Sequence, residues 1–200
     1  NSPGGVGVLK SVDGGETWTP VNNGLRNLYV GSLFMHPEDP QILLAGAGNN
    51  AYREGGGIYL TRDGAEHWQQ VGGEHITSVE FAVGVPDLAY AGSDGVFFRS
   101  QDGGETWQPS GNPATEGWGP PGIRPGFPID IQVDPRDPAR LFVNNYGGGN
   151  FLSQDGGQSW ISASTGYTGA DLTDVIVDPG NPALVYVNGR SGPFVSNDGG

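Results

Sequence analysis

The sequence predicts an all-β protein built from repeated four-stranded antiparallel sheets. One eight-residue pattern, Ser/Thr-x-Asp-Gly-x-x-x-Trp, begins at residues 11, 61, 100 and 153, and a fifth, shortened copy begins at residue 196. Short runs of apolar β-formers, bounded by Asp-Pro or Gly turns, precede the later copies. Repeats of four short strands every 39 to 53 residues are the pattern of β-propeller blades.

The composition supports this fold and excludes some classes of binding partner. The chain has 37 Gly and 16 Pro among 200 residues, and their periodic placement indicates turns between short strands. Acidic residues outnumber basic ones by 22 to 9, for a formal net charge of −13. Binding to nucleic acid or to an anionic membrane surface needs clustered Lys and Arg, so both are excluded. No apolar run approaches the length of a membrane-spanning helix.

Each predicted blade contains the same four elements. In one version the inner strand ends at Asp134-Pro135, because Pro cannot donate to a sheet ladder, and a second strand follows at 140–144. A third strand leads into the eight-residue motif, and the fourth follows its Trp. This reading gives a half blade, three whole blades and an incomplete blade, at residues 5–21, 29–71, 76–109, 128–163 and 172–200.

The ends of the chain bear on how the blades are arranged. The first and last partial blades could join to close a small four-bladed ring. The joined blade would then have one strand too many, because both partial blades contain the third strand. We therefore interpret residues 1–200 as a single segment of a larger propeller. The rest of a longer chain is an expected partner.

The residue types in the motif predict a structural corner. Asp accepts hydrogen bonds from the amides of the following turn, Gly tolerates a positive φ, and Trp buries a large face between strands. We expect a structural role, rather than a catalytic or metal-binding one, for Asp13, Gly15, Trp18, Asp63, Trp68, Asp102, Gly104, Trp107, Asp155, Gly157, Trp160 and Asp198.

The motif resembles the Asp-box, or BNR repeat, of sialidases, sortilin-type receptors, xyloglucan-cleaving glycoside hydrolases and photosystem II assembly propellers. The copies at 11–18 and 100–107 match every defined position, whereas the copy at 61–68 has Ala65 for Gly and His67 for Thr. The resemblance implies that the box lies on the hairpin between the third and fourth strands, away from the ligand face. It implies the fold but no single activity.

Candidate ligand-binding residues lie in connections that are too long for simple turns. Aromatic, amide and carboxylate groups in these Gly-rich loops suit a sugar or peptide cleft. The alternative is that Trp118 and Tyr167 cap the ends of blades against water. The candidates are Tyr52, Arg53, Glu116, Trp118, Arg124, Tyr146, Tyr167 and Asp171.

Asp130 and Asp174 are the candidate catalytic residues. They occupy equivalent places on the innermost strands of adjacent predicted blades, each four residues before the Asp of an Asp-Pro turn. Strand alternation places Asp130 on the opposite face from Ile131, so the two carboxylates are expected beside the central channel. Glycosidases need two carboxyls about 5–9.5 Å apart. The alternative is that each Asp binds loop amides at a strand start.

Other chemistries have less support. A sialidase resemblance would imply an arginine triad and a Phe/Tyr-Arg-Ile-Pro motif. Ile123-Arg124-Pro125 is only a weak partial match to that motif. His36, His67 and His75 form no spaced cluster, and the chain has no Cys, so no metal or cofactor is predicted.

The leading interpretation is an exported Asp-box β-propeller module that binds or scaffolds a protein or polysaccharide partner through its loop face. The absence of Cys fits a bacterial protein of the periplasm, cell surface or extracellular space. The alternative is a polysaccharide-cleaving glycoside hydrolase of the xyloglucanase type, with this chain forming part of the catalytic propeller. A third reading is an assembly factor for a membrane complex.

Overall fold

A computed structural model describes residues 5–48, 51, 53–110, 117–123, 125–146, 149–164, 172–189 and 192–199. All the secondary-structure elements in this part of the chain are β-strands, and they form five antiparallel sheets. The predicted all-β class is therefore confirmed. Three of the sheets have four strands, as expected for whole blades.

The strands follow one another in sequence order within each sheet. A short sheet pairs β1 (Leu9–Lys10) with β2 (Thr19–Pro20). Blade A contains β3 (Val30–Met35), β4 (Leu43–Ala47), β5 (Gly57–Thr61) and β6 (Gln69–Gly72). Blade B contains β7 (Ser78–Phe81), β8 (Ala89–Gly92), β9 (Phe97–Ser100) and β10 (Gln108–Ser110).

The remaining two sheets continue the pattern. Blade C contains β11 (Pro128–Asp134), β12 (Asp137–Asn145), β13 (Gly149–Ser153) and β14 (Ile161–Ser162). Blade D contains β15 (Leu172–Val177), β16 (Val185–Gly189) and β17 (Gly192–Ser196). Strand β12 begins earlier than the predicted residue 140, because Asp137 pairs with Asp134 across a two-residue turn.

The blades pack face to face around their first strands. The first strands β3, β7, β11 and β15 lie side by side in that order. Hydrophobic clusters fill the spaces between consecutive blades: Leu44 and Ile58 of blade A meet Phe81 of blade B, for example. Since burial of apolar surface is the main driving force of folding, each blade depends on its neighbour for part of its core.

The Asp-box side chains close the hairpin by hydrogen bonds. In blade B, the Ser100 hydroxyl and the Thr106 amide donate to Oδ1 of Asp102 at 2.7 and 2.9 Å. The Trp107 indole donates to the Gly104 carbonyl at 2.9 Å, and Gly104 has a φ of 87°. The first box, at 11–18, has the same set of bonds.

The box of blade A differs in residue type, and the box at 11–18 differs in the exposure of its Trp. His67 takes the place of the usual Thr, and its Nδ1 lies 2.8 Å from Oδ2 of Asp63. The box Trp side chains were expected to be buried, and Trp68 and Trp160 are only 5% and 2% exposed. Trp18 is 57% exposed, however.

A backbone hydrogen bond ties each box to the turn between the first and second strands of its own blade. The first Gly of the box donates to a carbonyl of that turn or, in blade C, of the start of the second strand, at 2.8–2.9 Å in all four blades, through the pairs Gly64–Gln41, Gly103–Asp87, Gly156–Ala139 and Gly199–Ala183. The boxes therefore lie at one end of the blades. The connections between blades, and those between second and third strands, lie at the other end, which we term the loop face.

Candidate functional site

The loop face contains a mainly apolar concavity with a volume of about 380 Å³. It lies where the first strands of blades A, B and C begin, beside the connection between β4 and β5. Its lining residues are Tyr29, Gly31, Gly48, Ala51, Thr77, Phe127, Pro128 and Ile129. The site thus falls on the end of the blades that the sequence predicted to carry ligand-binding loops.

The chain holds these lining residues in place through backbone contacts. The Tyr29 amide donates to Oδ1 of Asn27 at 2.8 Å, and the Tyr29 carbonyl accepts from Gly48 at 2.8 Å. The Thr77 hydroxyl reaches the carbonyl of Pro128 at 2.7 Å, which joins the first strands of blades B and C. The floor of the concavity is therefore part of the rigid sheet framework.

An aromatic pair stands beside the concavity. The rings of Phe127 and Tyr146 are stacked, with centroids 4.9 Å apart and an angle of 5° between the planes. The Tyr146 amide donates to the Phe127 carbonyl at 3.0 Å, which fixes the register of the pair. Tyr146 is 52% exposed and presents one ring face outward. A flat, exposed aromatic face is a common contact surface for sugars and peptides.

The other predicted binding residues are placed differently. Arg53 is exposed in the β4–β5 connection, two residues from the lining residue Ala51, and its carbonyl accepts from Gly56 at 2.9 Å. The structure therefore brings Arg53 and Tyr146 to the same face of the molecule. Five candidates lie outside the described residues: Tyr52, Glu116, Arg124, Tyr167 and Asp171.

Trp118 lies in the core rather than on the surface of a loop. It is 2% exposed, and its ring centroid lies 5.4 Å from that of Phe97, 5.5 Å from Phe151 and 5.1 Å from Trp160. These rings fill the space between blades B and C. The placement corresponds to the capping alternative, since the buried indole has no accessible face for a ligand.

Asp130 and Asp174 lie on the adjacent first strands β11 and β15. Burial, with a smaller contribution from the nearby charge of Asp174, raises the pKa of Asp130 to about 6. Oδ2 of Asp130 also accepts a hydrogen bond of 3.4 Å from the Val175 amide. Asp130 therefore links two blades, while its carboxyl has the raised pKa that a general acid requires.

Glu80 is a buried carboxyl that the sequence reasoning did not single out. It lies on β7, is 4% exposed, and accepts a hydrogen bond of 2.8 Å from the Val133 amide of blade C. Burial raises the pKa of Glu80 well above the usual value, and the nearby charge of Asp130 also raises it. Glu80, Asp130 and Asp174 thus form a row of carboxyls on three neighbouring first strands.

One group of side chains has the spacing of a metal site. The ligand atoms of Asp63, Glu66 and His67 lie within 4.8 Å of one another in the box of blade A. Both oxygens of Asp63 already accept hydrogen bonds from within the box, at 2.8–2.9 Å from the Thr61 hydroxyl, the His67 amide and the His67 ring. A cation would have to compete with these bonds, so the group serves the hairpin.

Comparisons with known proteins agree with the fold. The model of the BNR/Asp-box repeat matches residues 98–109, which include the whole of the third box. A search of curated proteins gave no match. Among the described residues there is no helix long and apolar enough to cross a membrane.

Three solved structures that are similar to this chain are a GH74 enzyme and two structures of YCF48. An ancestral GH74 enzyme is 19% identical over 95% of this chain, with a TM-score of 0.64. YCF48 from Cyanidioschyzon merolae is 17% identical over 84%, with a TM-score of 0.51. A structure of YCF48 bound to D1 peptide is 16% identical over 96%, with a TM-score of 0.44.

The chain therefore has a β-propeller fold, and residues 98–109 in blade B match the BNR/Asp-box repeat. The chain spans 28% of the ancestral GH74 enzyme, and 55% and 72% of the two YCF48 chains. At these levels of identity the likeness establishes the fold alone.

Proposed function

We propose that this protein is an exported propeller module that binds or scaffolds a partner through its loop face. The observation that carries the proposal is the concavity of about 380 Å³ lined by Tyr29, Thr77 and Phe127, with the exposed ring of Tyr146 beside it. Concave, mainly apolar sites with a few polar groups are the usual form of a binding site.

The chemistry of the site favours an extended polymer with little negative charge. Aromatic faces stack on sugar rings and on peptide side chains, and the Thr77 hydroxyl and the Tyr29 ring add hydrogen-bonding groups at the edge. The formal charge of −13 repels polyanions such as nucleic acid. Both a polypeptide and a neutral polysaccharide meet these conditions.

The test compares two loop-face variants with a control at the other end of the blades. Tyr146→Ala and Tyr29→Ala remove aromatic faces at the site, and Val12→Ser changes a side chain that is 90% exposed in the first box. Binding is measured against immobilised xyloglucan, β-glucan and a peptide array. Loss of binding in both Tyr variants but not in Val12→Ser supports the proposal. Unchanged binding in both Tyr variants refutes it.

Glycoside hydrolysis is a second candidate function, favoured by one observation. The pKa of Asp130 is raised to about 6 beside Asp174, and glycosidases pair a protonated carboxyl with an ionised one. In this reading Asp130 donates the proton to the leaving oxygen and Asp174 acts as the base or nucleophile. The relevant substrate class is a β-linked polysaccharide.

Release of reducing sugar separates the two functions. A hydrolase releases reducing ends from β-glucan or xyloglucan, and Asp130→Asn and Asp174→Asn each abolish turnover while substrate binding persists. A binding module gives no release with any variant. Turnover that survives both substitutions would exclude this carboxyl pair as the catalytic one.

A further inference from the structure

Blade B differs from the other four-stranded blades at one interior position. The residue directly before the Asp-box is Leu60 in blade A and Leu152 in blade C, and both are buried in clusters shared with the following blade. In blade B this residue is Arg99. A cation therefore stands where the neighbouring blades place an aliphatic side chain.

The guanidinium of Arg99 lies under the box hairpin of blade C. A Cβ placed on Gly156 of that hairpin would lie 3.9 Å from both Cζ and Nε of Arg99. Arg99 pairs with Tyr90 across β8 and β9, and its guanidinium interacts with the Tyr90 hydroxyl through its charge and through a side-chain hydrogen bond. The Nε–H of Arg99 is buried and has no hydrogen-bond acceptor among the described residues, so the contacts of Arg99 with the groove are made by the rest of the guanidinium.

A polar groove of about 580 Å³ opens beside Arg99, between the outer strand of blade B and the box of blade C. It lies at the opposite end of the blades from the loop face. Its walls carry the side-chain amides of Gln101, Gln108 and Gln158 and the hydroxyls of Ser110 and Ser159. Among the lining residues Arg99 is the one cation and Asp102 the one carboxylate.

We propose that this groove binds a small polar molecule through a single carboxylate group held by Arg99. The planar guanidinium offers parallel N–H donors that match the two oxygens of a carboxylate. The amides both donate and accept, which suits hydroxyl or amide groups on the rest of the ligand. Hydrogen bonds from Thr106 hold the pKa of Asp102 at about 2, so its negative charge opposes ligands with several carboxylates.

Sugar acids and amino acids both carry this chemistry, and titration calorimetry distinguishes them. D-Gluconate and L-glutamine are titrated into the full chain, each beside an analogue that lacks the carboxylate, D-glucose and L-glutaminamide. We expect one of the acids to bind with a Kd of about 1 mM and its analogue to bind at least about tenfold more weakly. Absence of binding by both acids at about 10 mM overturns the proposal, as does equal binding of acid and analogue.

Arg99→Leu is the decisive variant, because blades A and C already carry Leu at this position. It is expected to fold and to weaken binding of the acid at least about tenfold, and Arg99→Gln provides the same test if the Leu variant aggregates. Arg136→Leu changes an exposed arginine on the β11–β12 turn and should bind like the wild type. Retained affinity in the Arg99 variants would show that the carboxylate is held elsewhere. Loss of loop-face binding in the Tyr146 variant would leave this site unaffected.

Discussion

Oε1 of Glu80 accepts a hydrogen bond of 2.8 Å from the backbone amide of Val133, so a side chain of blade B completes the backbone pairing of blade C. Asp130 repeats the relationship one blade further on, with the Val175 amide. Ser32 does the same one blade earlier, where its hydroxyl accepts from the Val79 amide at 3.1 Å. A polar seam therefore runs along the first strands and fixes the register of each blade against the next.

Substitution of Glu80 by Gln should make the protein more stable at neutral pH. The Gln oxygen still accepts from Val133, and the amide cannot ionise. Burial raises the pKa of Glu80, so its contribution to stability is full below the unfolded pKa near 4.5 and is lost as the pH rises toward the folded pKa. The free energies of unfolding of variant and wild type should be close at pH 4, and that of the variant should be larger at pH 7. Urea unfolding at both pH values measures the difference.

A variant that removes the acceptor provides the control for this prediction. Glu80→Ala leaves the Val133 amide buried without a partner and should destabilise the protein at every pH, by about 1–3 kcal/mol. Equal stability of Glu80→Gln and wild type at pH 7 would contradict the burial of an ionisable carboxyl at this position.

Asp130→Asn should flatten part of the pH dependence of stability. The folded pKa of about 6 exceeds the unfolded value of 3.8, so the wild type loses stability as the pH rises from about 4 to about 6. The loss should be about 2 kcal/mol, since one pKa unit corresponds to about 1.4 kcal/mol and the half-buried group is partly screened by solvent. Thermal unfolding across this range should show a smaller decline for Asp130→Asn, and an unchanged decline for the exposed control Glu16→Gln. A decline as steep as that of the wild type would count against the raised pKa.

Two equivalent box glycines should respond differently to Ala. Gly15 and Gly104 both have positive φ, so Ala strains either position by about 1 kcal/mol or more. A Cβ on Gly104 would also lie 3.0 Å from Cδ2 of Leu44 in the preceding blade, whereas a Cβ on Gly15 has only Trp18 nearby, at 3.8 Å. Gly104→Ala should therefore cost about 1–3 kcal/mol more than Gly15→Ala. Equal losses of unfolding free energy would show that the box does not press on the neighbouring blade.

Trp118 and Trp18 should show opposite sensitivity to truncation. Trp118→Ala empties a site enclosed by three aromatic rings and should destabilise the protein by about 3–5 kcal/mol. Trp18→Ala removes a ring that is 57% exposed and should cost about 1 kcal/mol or less. Chemical denaturation gives both values. A small effect at Trp118, accompanied by loss of ligand binding, would return this residue to the binding candidates.

The sequence predicted the blades because their determinants are local. Each box contains its own donors and acceptors within eight residues, so the Asp102 corner follows from residue types and spacing. Tyr146 was predicted as a binding candidate on similar local grounds, since it follows a strand in a Gly-rich connection, and its binding role stays a prediction. By contrast, Glu80 alternates with Val79 and Phe81 like any half-exposed strand residue, and only its contact with Val133, 53 residues away, makes it a buried carboxyl. The burial of Trp118 likewise depends on rings from β9, β13 and the box of blade C.

The bond between Gly156 and Ala139 has a consequence for how such proteins change in evolution. It secures the outer hairpin of a blade to the start of the second strand of that same blade. Length differences can therefore accumulate in the opposite connections while the fastened end keeps its geometry. Unequal intervals between successive motifs are compatible with such a unit, because the fastened corner does not depend on the length of the other connections.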